Sequence, residues 1–304
     1  MTTVPTGPAL AGDRAPAAPS HRTAALRTLL RNRLAVAALA FLALVVICAL
    51  SAPLIAPADP NAQDLLDRLR PPAWQHGGSA AHLLGTDQLG RDLLSRVIYG
   101  TRVSLLVGAG AALLAGVIGT LVGLASGYFG GWPDRVLMRV ADVQLAFPAI
   151  LLALAVVGFL GSGLWYVILV LGVTGWVSYA RVVRSEVLSL RSRDFITEAR
   201  AIGVGDATIM RRHLLPNVMA PLATIGTLHV AAAVVAEASL SYLGLGVPKE
   251  TVTWGSMLAD GQLYLGTSWW VAVFPGVALM LTSLAVNITG DALRDVADPK
   301  AYRR

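Results

Sequence analysis

Glu198-Ala-Arg-Ala-Ile-Gly-Val-Gly-Asp-Ala-Thr-Ile-Met-Arg-Arg-His-Leu-Leu-Pro216 is the stretch on which the reading of this chain turns. It is charged, helix-forming on both sides of two glycines, and set between long apolar runs. Gly203 and Gly205 divide it, because glycine lets the backbone turn sharply at a helix end. Pro216 opens the element that follows. The helix signal extends from Arg191 to Leu215, with Asp194 as candidate cap and Thr197 as a poor capping-box partner. The spacing predicts two short helices forming a knob on a membrane face. Ile202, Val204, Ile209, Met210 and Leu214 would enter a partner groove, with Arg200, Arg211 and Arg212 on its rim. A solvated basic loop would explain the arginines, but not the helical pattern, glycine break and Leu-Pro end together. Such an insert gains little from lipid. It points to cytoplasmic docking, and to a transport subunit driven by a partner instead of an enzyme.

Composition agrees. Of the 304 residues 55% are hydrophobic, and only 14% are charged, where a soluble domain carries about 25%. Mean hydropathy is +0.64. The charges cluster and leave apolar runs near the ~20 residues that cross a bilayer. The expectation is an all-α, polytopic membrane protein with six transmembrane helices. The net charge of +6 does not call for nucleic acid, because Lys and Arg collect on the cytoplasmic side of membrane proteins. With both termini cytoplasmic, 18 of the 24 basic residues fall inside. The others are Arg68, Arg70, Arg91, Arg96, Arg102 and Lys249. Cys48 is alone in an apolar run and can form no intrachain disulfide.

Residues 1–25, rich in Pro, Ala, Thr and Gly, read as a disordered cytoplasmic tail. Residues 26–56 hold the first span, too long and too late for a signal peptide. Residues 57–96 form an extracytoplasmic loop whose end, Arg91–Tyr99, reads as an amphipathic helix at the interface. Residues 97–290 form a five-helix core containing the 191–216 segment. Its spans are expected near 103–125, 143–160, 164–179, 217–240 and 269–289, and 291–304 is a cytoplasmic tail. Gly119 and Gly123 give a small face for close helix packing. Gly127–Pro133 reads as a turn, and Pro148 as a kink near the start of the third span. Trp254, Trp269 and Trp270 fit an interfacial belt.

Candidate site residues inside the membrane are few. The chain has no G-x-x-x-x-G-K-[ST] loop, and ATP hydrolysis needs a phosphate cradle and a Mg²⁺ site. ATP hydrolysis by this chain is therefore not expected. The five histidines are scattered, so no metal or cofactor is expected here. His229, an intramembrane ionisable group, is a candidate by position, with hydrogen-bonded packing as the equal alternative. Glu237 sits near the outer end of the fifth span and is a candidate on the same ground. Asp142 and Gln144 would line the inner path. Arg181 and Arg184 would snorkel to headgroups, and Trp254 would anchor the outer loop.

The 198–216 segment resembles the EAA loop of ABC-importer membrane subunits: Glu-Ala-Ala, three residues, Gly, nine residues, Ile, one residue, Leu-Pro. The Gly falls on Gly203 and the Leu-Pro on Leu215-Pro216. The Glu-Ala-Ala positions fall on Thr197, Glu198 and Ala199, so the acid is displaced by one. His213 takes the Ile position, as in the peptide branch. His82-Leu-Leu-Gly-Thr-Asp-Gln-Leu-Gly-Arg-Asp-Leu-Leu-Ser-Arg-Val-Ile-Tyr-Gly-Thr-Arg-Val-Ser-Leu105, Glu237-Ala-Ser-Leu-Ser-Tyr-Leu-Gly-Leu-Gly-Val247, Trp254-Gly-Ser-Met-Leu258 and Gly290-Asp-Ala-Leu-Arg-Asp-Val-Ala-Asp-Pro299 are similar to the second permease of the oligopeptide/dipeptide/nickel group. So is the first helix with its exit Ala52-Pro-Leu-Ile-Ala-Pro57. The resemblance runs over about residues 27–299.

That resemblance implies the type I ABC importer transmembrane-domain fold in a bacterial inner membrane. It implies a coupling helix built from Glu198, Ala199, Arg200, Gly203, Arg211, Arg212, His213, Leu215 and Pro216, and it places Glu237 near an external gate or packed against the outside loop. The implied partners are a homologous second permease, one or two cytoplasmic ATP-binding subunits carrying ATP and Mg, and an extracytoplasmic solute-binding protein. The implied cargo is di- or oligopeptide, with nickel or another small solute as the alternative. A secondary transporter would show inverted repeats and midplane charge, and a channel a polar filter. Neither pattern is evident.

Overall fold

The computed structural model describes residues 32–248 and 250–297. The expected N-terminal tail, residues 298–304 and Lys249 lie outside them. The described residues are helical, with helices long and apolar enough for five spans, or six if one bent pair counts as a span.

Helix α1 is Arg33–Ile55, opened by the Asn32 side chain, which accepts from the Leu34 and Ala35 amides. Helix α2, Leu93–Phe129, starts ten residues before the expected second span, with Asp92 accepting from Ser95 N at 2.8 Å. The interfacial helix expected at Arg91–Tyr99 is therefore the outer end of α2. Its charges need no headgroups, because they are paired inside the protein. Asp87 accepts from Arg91 Nε at 2.6 Å and faces Arg96 Nε at 3.4 Å, and Arg96 donates to the Pro60 carbonyl at 3.1 Å. His82 bonds Asp92 at 3.0 Å and faces Asp67 at 3.5 Å. Loop 57–92 is thus a folded cap over α2.

The chain reverses at Gly130, whose φ of +63° suits glycine. Helices α3 (Gly131–Leu145) and α4 (Ala149–Leu160) are bent by 87° across a short break. Pro148 sits at that break as the N-cap of α4. Residues 127–133 are accordingly a tighter corner than expected. Helix α5 is Leu164–Leu190, longer than the expected 164–179. Against α2 it packs along a glycine stripe. A Cβ at Gly119 would meet Tyr179 Cβ at 2.4 Å, one at Gly123 would meet Ala180 O at 2.7 Å, and one at Gly127 would meet Val187 Cβ at 2.8 Å. These glycines serve close packing.

Helix α6 is Asp194–Ala201. Helix α7 runs from Asp206 to Tyr242 as a single 37-residue helix with a π turn at Ile209–Leu214. The second short helix and the fifth span are thus one element. Pro216 has no N–H and its ring would press on the Arg212 carbonyl. The turn widens at this point, and Leu215 N bonds Met210 O, five residues back. The outer loop carries α8, Trp254–Gly261, with a capping box between Thr253 and Ser256. Helix α9, Trp270–Ala297, takes in the first seven residues of the expected C-terminal tail. Trp254 and Trp270 are buried, donating to the Val97 and Thr86 carbonyls. They lock the outer loop instead of forming a belt; Trp254 anchors that loop as expected.

Candidate functional site

The knob is built from its backbone. Helix α6 ends in a two-bond Schellman turn: Gly203 N donates to Arg200 O and Val204 N to Ala199 O, each at 3.0 Å. Gly203 sits at φ +82°, where other L residues are strained. Among the described residues nothing lies within 4 Å of a Cβ built there. Asp194 is the first residue of α6 but makes no cap bond; Arg193 stands at the N-cap position.

Burial corrects the expected apolar docking set. Ile209 and Leu214 are fully buried, in a cluster with Ile196, Ala199, Val183 and Val187. Val204 and Met210 pack against that cluster. Only Ile202 stands out, 80% exposed at the tip. The core grips the knob from below and leaves one residue of that set for a partner. Glu198, Arg200, Arg211, Arg212 and Pro216 are exposed around it, Ala199 is buried, and His213 and Leu215 are half-buried. His213 Nδ1 is shielded without a hydrogen-bond partner among the described residues, and its ring lies 6.5 Å from Phe195.

A second grip was missed in the sequence. Tyr128, at the end of α2, donates to Asp206 Oδ1 at 2.5 Å. The Arg200 guanidinium lies 4.7 Å from the centroid of the Tyr128 ring. Arg191 donates to the Gly127 carbonyl at 3.1 Å. These residues, with Phe129 and Ser192, line a polar cleft of about 480 Å³. Asp206 and Arg200 flank the Gly203 turn, so the signal was two charged residues beside it; their aromatic partner is some 75 residues away in sequence.

The four path candidates are not brought into one site. Gln144 staples α3 to α5, donating to Thr174 O and accepting from Trp176 Nε1, both at 2.7 Å. Asp142 accepts from Arg181 at 2.8 Å, and Asp134 takes both Arg184 Nε (2.5 Å) and Nη2 (2.7 Å). Arg181 and Arg184 are therefore ion-paired to α3. His229 stacks at 4.6 Å on Tyr179 beside Gly175. Glu237 is fully buried, accepting from Ser241 Oγ at 2.7 Å, with the Ser104 and Thr253 hydroxyls alongside. Close by, Gly255 of α8 sits against the Ala238 backbone. Glu237 thus packs beneath the outer loop. An apolar trough of about 610 Å³ lies between α2 and α7, walled by Leu113, Val117, Leu121, Tyr179, Met219 and Gly226. None of the four candidates lines it.

Residues 119–303 match the model of the binding-protein-dependent transport system inner membrane component, and residues 22–72 that of the N-terminal transmembrane domain of oligopeptide transport permease C. The chain belongs to this permease family. The permease is 43% identical to the di/tripeptide transport system permease protein DppC of Pseudomonas aeruginosa, over 88% of this chain and 89% of that one. It is 41% identical to the glutathione transport system permease protein GsiD of Pectobacterium atrosepticum, over 90% and 89%. Among solved structures it resembles the inward-facing methionine ABC transporter MetNI, with TM-score 0.54 and 23% identity, over 66% of this chain and 96% of that one. The fold is thus that of a type I ABC importer permease. The permease is a multi-pass inner-membrane subunit of a transport system whose family works with ATP-binding and substrate-binding partners.

Proposed function

We propose that this permease forms half of the path by which an ATP-driven importer takes up di- or oligopeptides, and that segment 191–216 receives the motion of the ATPase. The observation that carries the reading is the Ile202–Gly203–Val204 tip. It is open above, while the helices behind it are locked to α2 and α5 by the buried cluster and by Tyr128. A surface that is exposed at its tip and held by packing behind it can pass a push to the spans. The peptide cargo rests on the relatives, named for di/tripeptides and for glutathione.

In this reading the chain supplies no catalytic group. ATP and Mg²⁺ sit on one or two cytoplasmic subunits, a homologous permease completes the path, and an extracytoplasmic binding protein delivers cargo. Both termini are cytoplasmic. The ligands of the partners shift the population between inward- and outward-facing states. The test is a mild-detergent pulldown with mass spectrometry, followed by uptake of labelled dipeptide into proteoliposomes. Recovery of the three kinds of partner, with uptake that requires ATP, is the expected result. Recovery of the chain alone after crosslinking, with ATP-independent uptake, would replace this reading with a secondary transporter.

A further inference from the structure

Helix α3 presents a face that the coupling role does not use. Trp132 (70% exposed), Val136 (40%), Val140 (53%) and Val143 (55%) point outward. At about 100° per residue they fall within an arc of about 80°. Arg135 and Arg139, one turn apart, stand at the edge of this stripe, and both are exposed. Among the described residues neither forms an ion pair. Arg135 bonds only the Gly131 carbonyl, at 3.3 Å. The acids of α3, Asp134 and Asp142, are taken up by Arg184 and Arg181 of α5. The outward face is therefore apolar and net positive.

Its level in the membrane follows from α5. The 27 residues of α5 are about 40 Å long, against about 30 Å of hydrocarbon. Arg181, Arg184 and Glu186 mark the end that leaves the core. Between Asp134 and Asp142 α3 advances about 12 Å, while their partners on α5 are about 4.5 Å apart. Helix α3 thus crosses α5 obliquely, starting at the level where α5 exits and ending with Gln144 on Thr174, about 15 Å further back along α5. The exit end also carries the Tyr128–Asp206 contact, so it is the knob side. Beyond the bend, α4 is wholly apolar.

We infer that α3 is a lipid-binding helix: its apolar stripe beds in the leaflet on the knob side, and Arg135 and Arg139 hold the phosphate of anionic phospholipid headgroups. Charge complementarity selects the occupant. A stripe of Trp and Val flanked by unpaired arginines suits a surface that is hydrocarbon below and anionic above. A helix of the companion permease is the rival occupant.

The test uses the whole importer in nanodiscs of equal phosphatidylglycerol and phosphatidylcholine. A fluorophore on Val140→Cys, in a Cys48→Ala background, should be quenched by lipids brominated near the headgroup. Native mass spectrometry should find phosphatidylglycerol retained in preference to phosphatidylcholine. At about fivefold per basic residue near an anionic surface, the Arg135→Gln/Arg139→Gln pair should lose about 25-fold of that preference. The Arg135→Lys/Arg139→Lys pair should keep most of it, which separates charge from misfolding. An unquenched label that crosslinks to the companion permease would overturn the inference. So would an unchanged lipid preference in the Gln pair, or a loss just as large in the Lys pair.

Discussion

Replacing Gly203 with valine isolates backbone strain at the knob from crowding. Gly203 holds φ +82° and donates one of the two bonds closing α6. An L residue in that region costs about 1–2 kcal/mol, and a β-branched one is a clear outlier. No clash within the chain adds to this, because a Cβ at 203 meets open space. The formed turn should lose a factor of about 5–30 against its alternatives. Gly205 is the control. It faces the same open space at φ −64°, ψ 147°, a conformation any residue adopts. Asn tolerates the left-handed region, so Gly203→Asn should be mild. The assay is peptide uptake per ATP hydrolysed by the reconstituted importer, with assembly checked by pulldown. The expected order of impairment is Gly203→Val far above Gly205→Val and Gly203→Asn. Wild-type coupling in Gly203→Val would refute the strain argument. Equal damage from both valines would show that space at the docked surface sets the requirement.

In the outer cap, Asp87→Ala should lower stability by about 3–5 kcal/mol, because Arg91 and Arg96 stay buried without it. Asp260→Ala should cost about 1 kcal/mol or less, since Asp260 is 41% exposed; thermal unfolding of the purified chain separates the two. Tyr128→Phe removes a bond to a carboxylate worth about 1.5–3 kcal/mol and should speed amide exchange across 194–214. Glu237→Gln keeps an acceptor for Ser241, so uptake and assembly should stay close to wild type. Lost uptake with normal assembly would restore the gate reading.

Helix identity and order were legible because apolar runs near bilayer length have one stable solution in lipid. The Gly119–Gly123 face was legible for a similar reason: small residues in a span matter through packing. The ends were harder. Helix α2 begins at Leu93 because Arg91 and Arg96 find Asp87, a pairing that hydropathy does not register. Pro216 reads as a start signal, yet a π turn lets the helix pass through it. The tip was legible as Gly203, but the direction of Ile209 and Leu214 was not. A span that already begins at Asp206 buries residues that periodicity alone assigns to a partner. The path candidates were chosen for polarity; at Gln144 that polarity is consumed by bonds within the chain, and at Glu237 one carboxylate oxygen is bonded to Ser241.

The continuity of α7 makes it a beam, and two of its close side contacts fall at one level. A Cβ at Gly108 would strike Val234 at 2.5 Å, and one at Gly290 would strike Thr227 at 2.3 Å. Both pinches fall near residue 230, about 36 Å above Asp206 and about 18 Å below Tyr242. A beam pivoting there would have its long arm toward the knob and its short arm toward Tyr242. Travel applied at the knob would arrive at the Tyr242 end halved, and force would arrive doubled. Such gearing suits prising apart a tightly packed outer lid, with Glu237 and Trp254 at its seam, more than sweeping cargo over a distance.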